Sequence, residues 1–168
     1  PAEFAALHDR LLQHDLIVTQ ELSTAYGPLA TSALRAERSD LVVIQNIYFQ
    51  GYHPDCVYVG PMGGRIKSPV GDYHSQVVHD AWRKGRSVAG AVQALHEFPA
   101  ATARDVFDRS ARELLAREAQ CDVPISDQVL EPGSAHRRMF TFNHPTIELH
   151  RLYLQRIVER LELGFAVG

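Results

Sequence analysis

The chain has 168 residues, of which 45% are hydrophobic and 22% charged, so its size and composition are typical of one globular domain. Its formal net charge of −3 gives no reason to expect a nucleic-acid partner, which usually calls for a basic face. No apolar run approaches the roughly 20 residues that cross a bilayer. Cys56 and Cys121 are too few for a disulfide scaffold and lack metal-ligand spacing. We therefore predict a single cytoplasmic domain over residues 1–168, without a membrane span or a metal site.

The first half of the chain predicts a small parallel sheet. Apolar residues at helical spacing predict an amphipathic helix that ends near His14. Residues 15–20 and 40–45 are two similar β-branched runs separated by a predicted helix around residues 29–37, as in parallel strands buried on both faces. Residues 56–59 predict a weaker third strand. Because open parallel sheets bind ligands beyond the carboxyl ends of their strands, the segments after the first two runs form the expected working edge.

The second half is predicted to be mainly helical. Asp72 is expected to cap a helix that runs to Lys84, and Ser87 to cap the next helix, which Pro99 ends. A third helix is expected to turn an apolar face inward, formed by Val106, Phe107, Ser110, Leu114 and Leu115. The last helix is predicted from about Pro145 to Leu163. The pattern indicates an α/β fold with a small parallel sheet near the N-terminal half and a predominantly helical C-terminal half.

The first of three polar clusters directly follows the second predicted strand. It places Asn46, Tyr52, His53 and Asp55 in one short irregular stretch, where side chains can converge on a ligand. The plainer interpretation is a loop whose aromatic residues fill the core and whose polar groups satisfy backbone.

The second cluster is the glycine-rich segment 60–75. Arg65 and Lys67 precede the start of a predicted helix, and exposed N–H groups, the helix dipole and two cations suit a phosphate. The segment matches neither a Walker loop nor a dinucleotide fingerprint, so a plain surface loop is the alternative.

His74 is predicted to lie in the first turn of that helix, on the same face as Val78 and Ala81. The positive end of the helix dipole would favour the neutral imidazole there, the form that a general base requires. A core histidine bonded to a backbone carbonyl would give the same sequence pattern.

The third cluster spans residues 136–146. Pro145 fits the first position of the last helix, which makes His144 its expected cap and places Asn143 beside it. Arg137 and Arg138 offer donors for a phosphate or a carboxylate. The alternative is an extended strand followed by a cap, with solvated arginines.

These three clusters are similar to the signature stretches of the WcbI family. The stretches are residues 46–55, 71–75 and 142–145, and the similarity extends in order from about Asp15 to Leu163. The family belongs to bacterial capsular-polysaccharide clusters, and the resemblance implies O-acetylation of a sugar with acetyl-coenzyme A as donor. It also implies a coenzyme A pocket beside an acceptor-sugar surface. In the family an opening strand and an Asn-Cys-Gln motif precede the first helix. Either this segment lies ahead of Pro1, which we expect, or this chain lacks it.

The main hypothesis is a coenzyme A-dependent O-acyltransferase that acts on a polysaccharide or nucleotide-sugar acceptor. His74 or His144 would be the base, and Asn46, Tyr52 or Asn143 would hold the oxyanion or the sugar. The catalytic candidates are His74, His144, Asn143 and His53. The cofactor-binding candidates are Arg65, Lys67, Arg137, Arg138, Asn46 and Tyr52.

Two alternatives remain open at this point. The first is an esterase or deacylase of an acylated glycan, with Ser75 or another hydroxyl as nucleophile beside a histidine. The second is a non-catalytic glycan-binding domain, in which exposed rings such as Tyr26, Tyr48 and Tyr52 would stack on sugars.

Overall fold

The computed structural model describes residues 2–61, 63–69, 71–131, 138–164 and 167. The helices in this part of the chain are α1 (Ala2–Leu11), α2 (Thr31–Glu37), α3 (Gln76–Arg83), α4 (Val88–His96), α5 (Ala100–Glu118), α6 (Ser126–Val129) and α7 (Ile147–Arg160). Its strands are β1 (Val18–Gln20), β2 (Val42–Ile44), β3 (Cys56–Tyr58), β4 (Tyr73–Ser75), β5 (Met139–Thr141) and β6 (His144–Pro145). Short 3-10 helices lie at Thr24–Leu29 and Gln50–Tyr52. Within these ranges no helix is both long enough and apolar enough to cross a membrane.

The chain divides into two compact units. Unit 1 comprises Pro1–Ile47, Glu113–Arg138 and Thr146–Gly168, and unit 2 comprises Tyr48–Arg112 and Met139–Pro145. The α/β class with a helical second half is confirmed. The strands that are described pair two by two, as β1–β2, β3–β4 and β5–β6, instead of forming one sheet. That residues 1–168 form a single functional domain stays a prediction.

Unit 1 contains the predicted parallel pair. β1 and β2 run parallel with Val18 opposite Val42, and α2 lies between them in the chain, so this βαβ expectation is confirmed. Ile44 also forms a parallel bridge with Val123, a neighbour that the sequence did not indicate. The prediction that β1 is buried on both faces was wrong, because Val18 is 38% exposed.

The core of unit 1 is built from the elements around this pair. Its centre is formed by Ile17, Leu34, Leu41 and Val43, with Leu11 and Cys121 packed against it. On α7, Leu149 and Tyr153 are buried as the periodicity predicted. Leu115, which was expected to face inward, is half exposed instead.

In unit 2 the predicted third strand has a different partner. β3 pairs antiparallel with β4, so Cys56 faces Ser75 across a hairpin and β3 does not extend the parallel sheet. Because β4 occupies Tyr73–Ser75, α3 begins later than predicted and its cap is Ser75, whose Oγ accepts the N–H of Val78 at 3.1 Å. The predicted cap Asp72 was therefore wrong, whereas Ser87 does cap α4.

Candidate functional site

The β3–β4 hairpin carries two separate sets of side chains. Directly opposed residues in an antiparallel pair share a face, and successive residues alternate between faces. Tyr58 is opposite Tyr73, and Val57 is opposite His74. The two tyrosines therefore lie on one side of the hairpin, and His74 lies on the other side.

On the tyrosine face, Asn143 is the centre of a hydrogen-bonded group. The hydroxyl of Tyr73 donates to Asn143 Oδ1 at 2.8 Å, and Asn143 Nδ2 donates to the hydroxyl of Tyr58 at 3.1 Å. The Phe142 ring packs edge-on against both tyrosine rings. Burial raises the pKa of Tyr58, with a smaller contribution from Tyr73 and an opposing one from Arg65. The phenol is thus held neutral, as a hydrogen-bonding group.

His144 joins this face through Thr141. Thr141 Oγ1 donates to Asn143 Oδ1 at 3.1 Å and lies 2.9 Å from His144 Nδ1. A threonine hydroxyl has a single proton, so once it is donated to Asn143 the oxygen accepts the Nδ1–H of His144. In this tautomer Nε2 of the exposed His144 keeps its lone pair and can accept a proton.

The helix-cap position predicted for His144 was wrong. His144 and Pro145 form β6, which pairs antiparallel with β5, and the residue that caps α7 is Thr146. The structure shows the extended strand and following cap of the alternative, but the solvation that it assigned to the arginines was wrong for Arg138, which is 8% exposed.

Arg65 and Lys67 share one carboxylate. Lys67 Nζ lies 2.6 Å from Asp72 Oδ1, and Arg65 Nη1 lies 3.9 Å from Asp72 Oδ2. The guanidinium of Arg65 also covers the Tyr58 ring, with its Cζ 3.6 Å from the centroid. The hydrogen bond from Lys67 lowers the pKa of Asp72. Two cations against one anion leave a local excess of one positive charge.

On its other side the hairpin borders an apolar groove of about 300 Å³. Its walls are formed by Val59, Ile66, His74, Ser75, Val78, His79 and Trp82. Trp82 is 74% exposed and Ile66 is 54% exposed, so the groove opens to solvent. An open groove with apolar walls and few polar groups suits a small organic ligand.

The first-turn position predicted for His74 was wrong, because it lies in β4. Its Nε2 is 2.9 Å from the backbone oxygen of Ile66. A carbonyl oxygen only accepts, so Nε2 carries the proton and Nδ1 keeps the lone pair. The carbonyl bond of the alternative is therefore observed, but His74 is half-buried and lines the groove instead of lying in the core.

Tyr52 ends the short 3-10 helix of unit 2, and His53 follows it. His53 Nε2 lies 3.0 Å from the backbone oxygen of Met139. The Tyr52 ring packs against Phe49 and Phe107. A Cβ at Gly51 would clash with the Phe49 ring and lie 2.8 Å from Phe107, which explains the glycine in this stretch. Both candidates occupy packed positions, as in the plainer interpretation of the first cluster.

The remaining candidates lie elsewhere. Asn46 is an exposed residue of unit 1 that follows β2. Arg138, also in unit 1, is 8% exposed and is paired with Glu131 at 3.1 Å and with Glu148 at 2.5 Å. Both Nη groups are thus engaged by protein carboxylates. Arg137 lies outside the residues that the structure describes.

Unit 2 therefore brings together Arg65, Lys67, His74, Asn143 and His144 around one hairpin, with the two histidines on different faces. Four residues of this region were missed as site candidates: Tyr58, Tyr73, Thr141 and Trp82. The alternation of Tyr58 with apolar neighbours was a usable signal for a half-buried strand, and the lone Trp82 in a polar helix was a signal for an exposed aromatic. Nothing local in the sequence indicated that Thr141 would meet His144.

Comparisons with known proteins agree on one family. The sequence model of a family described as the polysaccharide biosynthesis enzyme WcbI matches residues 1–165. No curated protein matches. A solved structure of WcbI, described as a novel polysaccharide biosynthesis enzyme, is similar with a TM-score of 0.78 and 20% sequence identity. The match covers 99% of this chain and 58% of that chain, so this chain spans less than two thirds of its length. That structure is described as native protein without a disulfide bond between coenzyme A and one of its cysteines.

Proposed function

Because this chain belongs to the WcbI family of polysaccharide biosynthesis enzymes, we propose that it transfers an acyl group, most simply acetyl, from coenzyme A to a sugar hydroxyl. The observation that carries the proposal is the apolar groove of unit 2, whose wall residue Ile66 is flanked in the chain by Arg65 and Lys67. Coenzyme A combines phosphates with a long, weakly polar pantetheine arm. An apolar groove whose wall residue Ile66 lies between two cations in the chain supports binding of both parts of such a ligand.

The cationic part of the match rests on two neighbours of Ile66. Ile66 lines the groove, while Arg65 and Lys67 flank it in the chain and share Asp72. Arg65 is already oriented by the Tyr58 ring, and Lys67 is 77% exposed at its side chain. Arg65, Lys67 and Asp72 together carry one net positive charge, which attracts a phosphate. Arginine can bind a phosphate with two parallel hydrogen bonds.

In this proposal His74 is the general base. Its Nε2–H is held by the Ile66 carbonyl, so Nδ1 has the free lone pair. Nδ1 accepts the proton of the sugar hydroxyl as that oxygen attacks the thioester carbonyl. The bond between carbon and sulfur breaks, and the imidazolium returns the proton to the departing thiolate. His144, with Nε2 available on the opposite face, is the second candidate for the base.

The esterase alternative has less support at this site. Ser75 does line the groove beside His74, but its Oγ accepts the N–H of Val78 as the cap of α3. The binding-domain alternative depends on exposed rings. Tyr26 and Tyr48 are 44% and 37% exposed, but each also packs against a phenylalanine, so a free stacking face is restricted.

Calorimetric titration with coenzyme A tests the proposal. We expect binding that Trp82→Ala and Lys67→Ala each weaken, and that weakens with added salt because phosphates are involved. Matched controls are Val88→Ala, which removes another exposed apolar side chain, and Lys84→Ala, which removes another exposed cation; both should bind as the unaltered chain does. Absence of binding at millimolar coenzyme A would refute the cofactor assignment. Equal losses in the controls would refute the assignment to the groove.

A product assay separates transfer from hydrolysis. The chain is incubated with acetyl-coenzyme A and a panel of free and nucleotide-linked sugars, and the acetylated sugar is measured beside free acetate. Transfer predicts that release of the thiol depends on the sugar and that the acetyl group appears on it. Release of acetate at the same rate without sugar would favour the hydrolase.

A further inference from the structure

A pocket of about 280 Å³ lies in unit 1, where the chain leaves β1 and enters α2. It begins at Glu21, the residue after the end of β1, and its lining includes four residues that carry hydroxyls: Ser23, Thr24, Thr31 and Ser32. Each hydroxyl can both donate and accept a hydrogen bond. The carboxyl end of a parallel strand is also the place where open α/β sheets bind their ligands.

The wall of this pocket is held in place by a reciprocal pair of hydrogen bonds. The N–H of Leu22 donates to Thr31 Oγ1 at 2.8 Å, and the N–H of Thr31 donates to the oxygen of Leu22 at 3.0 Å. Thr31 is only 8% exposed. The hydroxyl oxygen of Thr31 is therefore already an acceptor within the fold.

The charges around the pocket do not favour an anion. Arg35 lines it, but Arg35 Nη2 donates to Asp122 Oδ2 at 2.8 Å, and the same oxygen accepts the N–H of Val43 at 2.7 Å. Glu21 adds a second carboxylate to the wall. Burial, followed by the charge of Glu21, also raises the pKa of the neighbouring Cys121 thiol to about 11. The guanidinium is thus compensated, and the pocket carries a negative balance.

We infer that this pocket binds a neutral, polyhydroxylated ligand of the sugar-ring class. Adjacent hydroxyls of a sugar are matched by donors and acceptors at short spacing, which the serine and threonine hydroxyls supply together with the side-chain amide of Gln120. Arg35 is fixed by Asp122, so its planar donors need little further ordering to bind a ring hydroxyl. This inference rests on the proposed function only for the choice of a sugar as the test ligand.

An NMR titration of the ¹⁵N-labelled chain tests this inference with methyl α-D-glucopyranoside, methyl α-D-mannopyranoside and methyl α-D-galactopyranoside. At least one of them should shift the amide signals of Leu22, Ser23, Thr24 and Ser32, and inorganic phosphate should leave those signals in place. The double variant Ser32→Ala with Thr24→Val should weaken the sugar about threefold to tenfold, the scale of lost hydrogen bonds. Ser39→Ala, another exposed serine of unit 1, is the control and should bind unchanged.

Three results would overturn the inference: no sugar shifts the pocket amides, phosphate shifts them instead, or the double variant binds as tightly as the control. The coenzyme A titration distinguishes the two proposals, because its expected residues are in unit 2. Sugar shifts in the pocket without coenzyme A binding would retain the pocket and refute the acyltransferase. Coenzyme A binding with no sugar shift would retain the acyltransferase and refute the sugar pocket.

Discussion

The hydroxyl of Tyr153 accepts the backbone N–H of Gln45 at the end of β2. The same hydroxyl donates to the backbone oxygen of Val123 at 3.3 Å, so one side chain of α7 links β2 to the segment that bridges it. Tyr153 is 5% exposed, and burial raises the pKa of its hydroxyl. The hydroxyl is therefore a neutral structural link within unit 1.

Tyr153→Phe should destabilise the fold, because it leaves the buried N–H of Gln45 without its acceptor. An unsatisfied buried group costs about 1–3 kcal/mol, and each kcal/mol lowers Tm by roughly 2–4 °C in a chain of this size. Thermal unfolding measures the change. Tyr26→Phe is the same chemical change at a 44% exposed ring and should leave Tm nearly unchanged. Equal melting temperatures for the two variants would contradict the assigned link.

Asp127 should contribute stability that is lost in acid. Arg156 binds this carboxylate through both Nη atoms and lowers the pKa of Asp127 to about 2. A carboxyl whose folded pKa lies below its unfolded value, about 3.9, stabilises the fold above that value and loses the contribution as pH falls towards 2. We expect Asp127→Asn to melt below the unaltered chain at neutral pH, with the difference closing between about pH 4 and pH 2. Asp108→Asn, at an exposed position of α5, should show no such pH-dependent difference in melting temperature.

Cys121 should react slowly with thiol reagents near neutral pH. Burial, followed by the charge of Glu21, raises the pKa of this thiol to about 11, and the thiolate is the reactive form. In a Cys56→Ser background the alkylation rate should rise about tenfold per pH unit up to that value. Glu21→Gln should increase the rate at pH 8 by removing a nearby negative charge. A rate that Glu21→Gln leaves unchanged would contradict this electrostatic cause.

His74→Gln should lower acetyl transfer by about a hundredfold, the usual scale for loss of a general base. Glutamine keeps much of the shape and can still donate to the Ile66 carbonyl, so Tm should change little. His144→Gln tests the second candidate base, and His96→Gln is the control, because His96 is exposed at the end of α4. The assay is transfer from acetyl-coenzyme A to the sugar panel. Full activity of His74→Gln with a large loss in His144→Gln would assign the role of general base to His144 instead.

The elements that depend on local periodicity could be predicted from the sequence. The repeated runs that became β1 and β2 were identified by their β-branched residues, and α4 by its cap at Ser87. The errors came from pairing at a distance. Asp72 has the right chemistry for a helix cap, but its carboxylate is bound by Lys67, and the following residues pair with β3.

The same cause explains the errors at two candidate site residues, His144 and Arg138. Pro145 suits the first turn of a helix, but the pairing of β6 with β5 keeps it extended and moves the cap to Thr146. Arg138 looked like a free donor because its carboxylate partners, Glu131 and Glu148, are seven and ten positions away in the chain. Charge and helix signals are local in the sequence, whereas the partner that uses a side chain is set by the fold.

The alternation of the β3–β4 hairpin makes its chemistry depend on register. A slip of one residue would exchange the faces of Tyr73 and His74, because side chains in a strand alternate with a period of two. The oriented imidazole would leave the groove, and the tyrosine would leave Asn143. Changes in length within the connection between the strands are therefore tolerated only where they leave this pairing in place, so the connection acts as a spacer that selects which side chain each face presents.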